Sequence, residues 1–147
     1  MSLLDRLRRI VRPSAAVSPA TAAGGEPGAA AEAEYQRQRL ELERVRRSIA
    51  DVMATRRRLE AGADEVRRAL GGLQEQAAAA AARDQDGLAR SALREALDTE
   101  RRLAKRQATI DGLRRQEHEL TESSARLQAR LEDYRARLEA ARARGRR

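Results

Sequence analysis

The feature that most constrains this chain is an apolar heptad repeat in two long stretches of the sequence. In the first stretch, fourteen positions spaced alternately by three and four residues include twelve apolar side chains. These positions are Tyr35, Gln38, Leu42, Val45, Ile49, Val52, Arg56, Leu59, Ala63, Val66, Leu70, Leu73, Ala77 and Ala80. In the second stretch, eight of ten such positions are apolar. They are Ile110, Leu113, Glu117, Leu120, Ser124, Leu127, Leu131, Tyr134, Leu138 and Ala141. The same spacing continues backward from Ile110 with fewer large apolar side chains, and all these positions together are called the seam. The added positions are Arg106, Leu103, Thr99, Ala96, Ala92 and Ala89. A seam residue every 3.5 positions is typical of a coiled coil, so the pattern predicts an all-α protein with two long helices.

The composition favours long helices and argues against other fold classes. Alanine accounts for 31 residues and charged residues for 37% of the chain, while Phe, Trp and Cys are absent. A compact α/β enzyme or a β-sandwich needs large side chains to fill its core. Because the chain has no Cys and only one His, His118, we expect neither a disulfide nor a metal site. No nucleophile motif or phosphate-binding loop is present, so the sequence predicts no catalytic residue, no cofactor and no small-molecule substrate.

One turn signal separates the two helical stretches. The residues Asp84–Gly87 combine two Asp with a Gly, which is typical of a turn. The sequence therefore predicts an antiparallel coiled-coil hairpin over residues 29–144, with helices at 29–82 and 88–144 and a tip at 83–87.

The turn also sets a register for the hairpin. In a register centred on it, Tyr35 faces Tyr134. Arg56 and Glu117 are charged residues within the seam, one layer apart. They either pair across the interface and fix its register, or extend outward with their charges in water, and the sequence leaves both possibilities open.

Residues 1–12 predict a short amphipathic helix. Its apolar side chains share one face, and its arginines occupy the other sides. The face consists of Leu3, Leu4, Leu7, Ile10 and Val11, and the arginines are Arg6, Arg8, Arg9 and Arg12. A basic amphipathic helix fits an anionic membrane surface, although it can also dock on the hairpin or on a protein partner. Residues 13–28 are rich in Pro, Gly and Ala and predict a flexible linker.

The net charge and the hydropathy of the sequence limit where the protein can reside and what it can bind. The net charge is +8, and residues 145–147 form part of an Arg-rich tail. Basic chain ends fit an anionic partner, either lipid headgroups or nucleic acid. No apolar run is long enough to span a bilayer, and arginines interrupt the only candidate signal peptide, so we expect an intracellular protein.

The predicted tip and the N-terminus resemble a known family. The stretch ARDQDGLARSAL at residues 82–93 is similar to the hairpin-tip motif of the phage shock protein A (PspA)/vesicle-inducing plastid protein family. The matching residues are Arg83, Asp84, Asp86, Leu88, Ala89, Arg90, Ala92 and Leu93. The opening MSLLDRLRRIV resembles the amphipathic helix with which members of this family begin.

This resemblance implies a role at membranes. Proteins of the family are bacterial or plastid relatives of ESCRT-III that polymerise on the cytoplasmic face of the membrane and protect or remodel it under stress. It implies that the apolar residues from Leu3 to Val11 insert into anionic phospholipid while the arginines from Arg6 to Arg12 meet headgroups. It also implies a contact between subunits at the tip. That contact would involve Arg83, Asp84, Asp86, Leu88 and Arg90.

Two departures from the family pattern keep other functions open. The linker at residues 13–28 follows the amphipathic helix where the family continues directly, and the further helices of full-length members do not follow residue 147. We therefore expect a short member that assembles with itself or with a full-length relative. The alternatives are a scaffold or adaptor that regulates such a relative, and a protein that binds nucleic acid through its Arg-rich tail. Nucleic acid is the weaker of these, because the only two aromatic residues lie in the seam.

Overall fold

The computed structural model describes residues 27–146, which form two helices. Helix α1 spans Pro27–Ala82 and helix α2 spans Asp86–Gly145. A three-residue turn at 83–85 joins them, and the described range contains no β-strand. The two helices pack together as a hairpin, which confirms the predicted all-α fold.

The helix ends differ from the predicted boundaries by a few residues. Helix α1 begins at Pro27 rather than at residue 29. Proline fits the first position of a helix, because that position needs no N–H donor and the ring fixes a helical φ. Helix α2 begins at Asp86, so Asp86 and Gly87 belong to its first turn and not to the tip. The carboxylate of Asp86 favours this start, since it lies at the positive end of the helix dipole.

The described chain divides into two compact units, each containing part of both helices. The terminal unit consists of residues 27–46 and 120–146, and the turn unit consists of residues 47–119. In the terminal unit, the rings of Tyr35 and Tyr134 stack with their centroids 6.4 Å apart and their planes at 6°. This contact confirms the predicted register there. The buried apolar residues of this unit are Leu42, Val45, Leu120 and Leu131.

Alanine fills the seam of the turn unit on both sides of the turn. The buried residues of this unit are Val52, Ala63, Ala77, Ala80, Ala89, Ala92, Ala96, Thr99 and Ile110. Ala63 is 0% exposed and Ile110 is 1% exposed, so both helices are closely packed at these positions. Burying each CH₂ group from water contributes about 0.8 kcal/mol, and the seam is therefore the main source of stability in this unit.

Two seam positions of α2 are exposed, contrary to the heptad prediction. Arg106 leaves the seam, and its Nη1 lies 2.8 Å from the point where a Cβ on Gly62 would stand. The guanidinium thus crosses α1 where there is no side chain. Ala141 is exposed in the terminal unit because its partner in the predicted register is Gly28, which offers no side chain to cover it.

Candidate functional site

The predicted membrane-binding residues lie outside the described residues. They run from Leu3 to Arg12, before the start of α1, and their role stays a prediction. The candidate sites that the structure describes are therefore the tip, a charged cluster in the turn unit, and the Arg-rich end of the terminal unit.

The tip is closed by backbone hydrogen bonds at the end of α1. The N–H of Gln85 donates to the carbonyl of Ala80 at 3.0 Å, and the N–H of Asp84 donates to the carbonyl of Ala81 at 3.1 Å. The N–H of Arg83 also donates to the carbonyl of Ala80, at 3.1 Å. This pattern is a Schellman motif, which satisfies carbonyls that the helix end would leave without a donor.

Asp84 adopts the left-handed conformation that closes this motif. Its φ is 56°, and it is the one non-glycine residue with a positive φ in the part of the chain that the structure describes. Glycine is the usual residue at this position, because a Cβ there crowds the backbone. Asp is tolerated better than most side chains, yet it retains part of the steric cost. Such strained residues concentrate at functional positions, so the aspartate is a candidate for a role beyond the turn.

All five residues predicted for the tip contact are exposed and lie within eight residues of each other. They are Arg83, Asp84, Asp86, Leu88 and Arg90. Arg90 and Asp86 approach within 3.9 Å on adjacent turns of α2, and both side chains are more than 70% exposed. A pair this exposed contributes little to stability, which leaves both charges available to another molecule.

Apolar side chains extend the exposed surface along α2. Leu88, Leu93 and Leu97 are 49%, 51% and 54% exposed. Leu97 was not among the predicted tip residues. Its position one helical turn after Leu93, outside the seam, is the sequence signal that identifies it, because leucine outside an a or d position has no place in the core.

The charged seam residues pair across the hairpin. Nε of Arg56 lies 2.7 Å from Oε2 of Glu117, and its Nη1 lies 2.9 Å from Oε2 of Glu60. Arg114 reaches the same Glu60 carboxylate, with Nη2 and Oε1 2.8 Å apart. Of the two possibilities that the sequence left open, cross-helix pairing is confirmed. The cluster joins two residues of each helix, so it fixes the register within the turn unit.

The hydrogen bonds of this cluster shift the pKa values of two groups. The carboxylates of Glu117 and then Glu60 raise the pKa of the Arg56 guanidinium. Hydrogen bonds from Arg114 and then Arg56 lower the pKa of the Glu60 carboxyl group below its ordinary value of 4.5. Both shifts favour the charged forms, as expected when opposite charges meet at hydrogen-bond distance. The two arginines and two glutamates of the cluster pair with each other. We therefore interpret the cluster as structural.

Polar contacts beside the seam follow one face of the hairpin in each unit. In the turn unit, Nη2 of Arg67 lies 2.9 Å from Oε1 of Gln107. In the terminal unit, Nη2 of Arg46 lies 2.8 Å from Oε1 of Gln128, and Nη2 of Arg142 lies 2.6 Å from Oε2 of Glu32. Each pair joins two residues that directly follow seam positions, which is how flanking side chains meet in an antiparallel coiled coil.

The end of the terminal unit contains an open recess. It has a volume of about 560 Å³ and includes Tyr35 and Leu138, with the guanidinium groups of Arg39, Arg135 and Arg142 among its lining. The two acidic residues of the lining are paired, Glu32 with Arg142 and Glu139 with Arg135. The hydrogen bond that the Arg135 guanidinium donates to the Glu139 carboxylate is the main cause of the raised pKa of Arg135. The recess is therefore a basic surface with an apolar component.

Comparison with protein families identifies the chain. The model of the PspA/IM30 family matches residues 2–146, which is nearly the whole sequence. The chain belongs to the PspA/IM30 family. The match includes the amphipathic sequence at the N-terminus, both helices and the tip motif. A search of curated proteins found no match.

Membership gives the coarse functional class. PspA/IM30 proteins are non-enzymatic, associate with membranes and typically self-assemble. Between residues 27 and 146, no helix is long and apolar enough to cross a membrane. Over the same range, no cluster of His, Asp or Glu side chains is suited to hold a metal ion.

Proposed function

We propose that this PspA/IM30 family member is a peripheral membrane protein that assembles with itself or with a full-length relative in membrane stress response or remodelling. It would act on the cytoplasmic face of the cell membrane. The observation that carries the proposal is the extent of the family match, from residue 2 to residue 146. It includes both the sequence that would bind lipid and the hairpin that would assemble.

Lipid binding is assigned to residues 2–12. In a helical conformation, Leu3, Leu7 and Ile10 share an apolar face, and burying that face in the headgroup region is favourable by about 25 cal/mol per Å². Each arginine near an anionic surface adds roughly 1 kcal/mol. A helix of three turns is marginal in water, so ordering it offsets part of this gain. Binding by one copy is therefore weak, and an assembly of many copies would bind strongly through multivalency.

Assembly is assigned to the tip. Its support is the exposure of the charged residues and of Leu88 next to a turn that uses Asp84 at a position suited to glycine. Exposed charges of both signs around an apolar side chain fit the polar rim and apolar centre of a protein interface.

Substitution of Leu7 tests the lipid-binding proposal. We expect Leu7→Asp to abolish co-sedimentation with phosphatidylglycerol vesicles, because it places a carboxylate in the apolar face and lowers the positive charge. The control is Ser14→Asp, which makes the same charge change in the predicted linker and should bind nearly as well as the unchanged chain. If Leu7→Asp still sediments with vesicles, the apolar face is not the anchor.

Substitution of Leu88 tests the assembly proposal. Leu88→Asp should reduce the mass of assemblies measured by analytical ultracentrifugation, since a charge at an apolar contact is costly to desolvate. Leu40→Asp is the matched control, because Leu40 is a similarly exposed leucine, at 53%, in the terminal unit. Equal effects of the two substitutions would contradict a specific role for the tip.

A further inference from the structure

The first turns of α1 and the last turns of α2 meet in the terminal unit. The Arg142 guanidinium, in the last turn of α2, binds the Glu32 carboxylate in the second turn of α1, with 2.6 Å between Nη2 and Oε2. This ion pair places the C-terminal turns of α2 beside the N-terminal turns of α1. The Arg-rich end of α2 therefore lies next to the point where residues 1–26 join the hairpin.

The end of α2 has a large excess of positive charge. Residues 135–146 contain five arginines and one acidic residue, Glu139. The arginines are Arg135, Arg137, Arg142, Arg144 and Arg146, and all are exposed. Three of them are partly neutralised by Glu139, Asp133 and Glu32. The partial negative charge of a helix C-terminus amounts to about half a charge and does not cancel the excess.

Three arginines at this end have no ion pair among residues 27–146. They are Arg39, beside the recess, and Arg144 and Arg146, in the last residues of the described chain. A guanidinium binds phosphate oxygens with two parallel N–H donors, and its weak hydration makes it suited to a headgroup region. The recess adds the apolar surface of Tyr35 and Leu138 next to the Arg39 guanidinium.

We propose that the Arg-rich end of the terminal unit is a second lipid-binding surface, which contacts anionic headgroups through Arg39, Arg144 and Arg146. This inference rests on the proposed membrane function and adds to it a contact that the hairpin itself makes. Lipid is favoured over nucleic acid because the chain has only two aromatic residues, Tyr35 and Tyr134, and each already stacks one ring face on the other, whereas strands of nucleic acid are bound by a series of aromatic side chains on which successive bases stack.

The contribution of this surface to the affinity for anionic membranes follows from its number of arginines. One arginine near an anionic membrane changes the affinity about fivefold, so three independent arginines change it on the order of 100-fold. The observed loss will be smaller wherever salt screens the contact, and it will decrease as the salt concentration is raised.

Charge-neutral variants of the full chain test the proposal. The first variant changes Arg39, Arg144 and Arg146 to Gln and leaves every cross-helix ion pair in place. The control changes Arg57, Arg58 and Arg94 to Gln, three exposed arginines of the turn unit, with the same loss of charge. Binding is measured on vesicles of phosphatidylcholine with and without phosphatidylglycerol. We expect the first variant to lose about tenfold or more in affinity for the anionic vesicles, and the control to lose about twofold.

The outcomes separate this inference from the proposed function. If the first variant binds like the unchanged chain while deletion of residues 2–12 removes binding, the second surface is wrong and the membrane function stands. If the unchanged chain does not bind anionic vesicles, both fail. If the first variant loses affinity for duplex DNA and keeps its affinity for vesicles, the surface binds nucleic acid and the inference is overturned.

A fluorophore on a single introduced cysteine can locate the contact between the terminal unit and the membrane. The chain has no Cys, so Ala140→Cys and Ala125→Cys each provide one labelling site on exposed positions of α2 within the terminal unit. A fluorophore at residue 140 should be quenched by headgroup-attached nitroxides more strongly than one at residue 125, which lies about 22 Å further along the helix at 1.5 Å per residue. Equal quenching at the two positions would contradict contact through Arg144 and Arg146.

Discussion

Substitution of Asp84 separates the backbone role of the tip from the role of its side chain. The φ of 56° lies in the left-handed region, where an ordinary L-residue is disfavoured by about 1–2 kcal/mol and glycine is not. Glycine at this position removes the strain, but it lowers the free energy of unfolding by about 0.4–1 kcal/mol because it makes the unfolded chain more flexible. We expect Asp84→Gly to equal or exceed the unchanged chain in stability and Asp84→Ala to fall below it. The difference between the two variants should be about 1 kcal/mol in favour of glycine.

Both variants remove the same carboxylate, so we expect them to differ in stability but not in assembly. Stability is measured by urea denaturation followed by far-UV circular dichroism, and assembly by analytical ultracentrifugation. If the Asp84 carboxylate contacts another subunit, Asp84→Gly and Asp84→Ala will lose assembly to a similar degree although their stabilities differ. An Ala variant more stable than the Gly variant would refute the backbone reasoning. Assembly that follows stability alone would refute the contact.

Three further predictions concern the turn unit. Ile110→Ala should reduce the free energy of unfolding by about 2–5 kcal/mol in urea denaturation, whereas Leu97→Ala, at an exposed position, should change it by less than about 0.5 kcal/mol. Ala63→Leu should destabilise by about 1–3 kcal/mol because the 0% exposed site has no room, while Ala61→Leu at an exposed site should not; equal effects would contradict close packing of the seam. The pKa of Glu60 is lower in the folded protein than in the unfolded chain, so ionised Glu60 stabilises the fold. This stabilisation is present above the ordinary pKa of 4.5 and is lost as the pH falls through the folded pKa. Glu60→Gln should therefore flatten the decrease of thermal stability as the pH falls below 4.5, and an unchanged acid dependence would contradict the assignment.

The seam was sufficient to predict the fold. A heptad of apolar residues with one turn signal allows few arrangements, and the pairing of Tyr35 with Tyr134 followed from the position of the turn. The heptad could not decide between pairing and solvation for Arg56 and Glu117, because both are compatible with a seam position. That choice depended on Glu60 and Arg114, two flanking residues whose positions complete the hydrogen bonds.

Other features depended on local geometry that the repeat does not encode. The motif at residues 82–93 marked the tip, but the left-handed conformation of Asp84 arises from the hydrogen bonds that end α1. The heptad pattern alone does not explain why residue 62 is a glycine. The guanidinium of Arg106 from the facing helix occupies the space that a side chain there would need.

The Arg-rich tail was recognised from sequence as a surface for an anionic partner. Its position beside the first turns of α1 required the contact between Arg142 and Glu32. The assignment of residues before Pro27 to the membrane is a prediction from amphipathic spacing and family resemblance.

Vesicle binding by the full chain and by a chain without residues 2–12 is the most direct test of membrane function. Both are sedimented with vesicles of phosphatidylcholine containing phosphatidylglycerol, and the helical content of each is checked by circular dichroism. We expect the full chain to sediment with the vesicles and the shortened chain to remain largely in the supernatant with its helices intact. Equal sedimentation of the two chains would contradict the assignment of the lipid anchor to these residues.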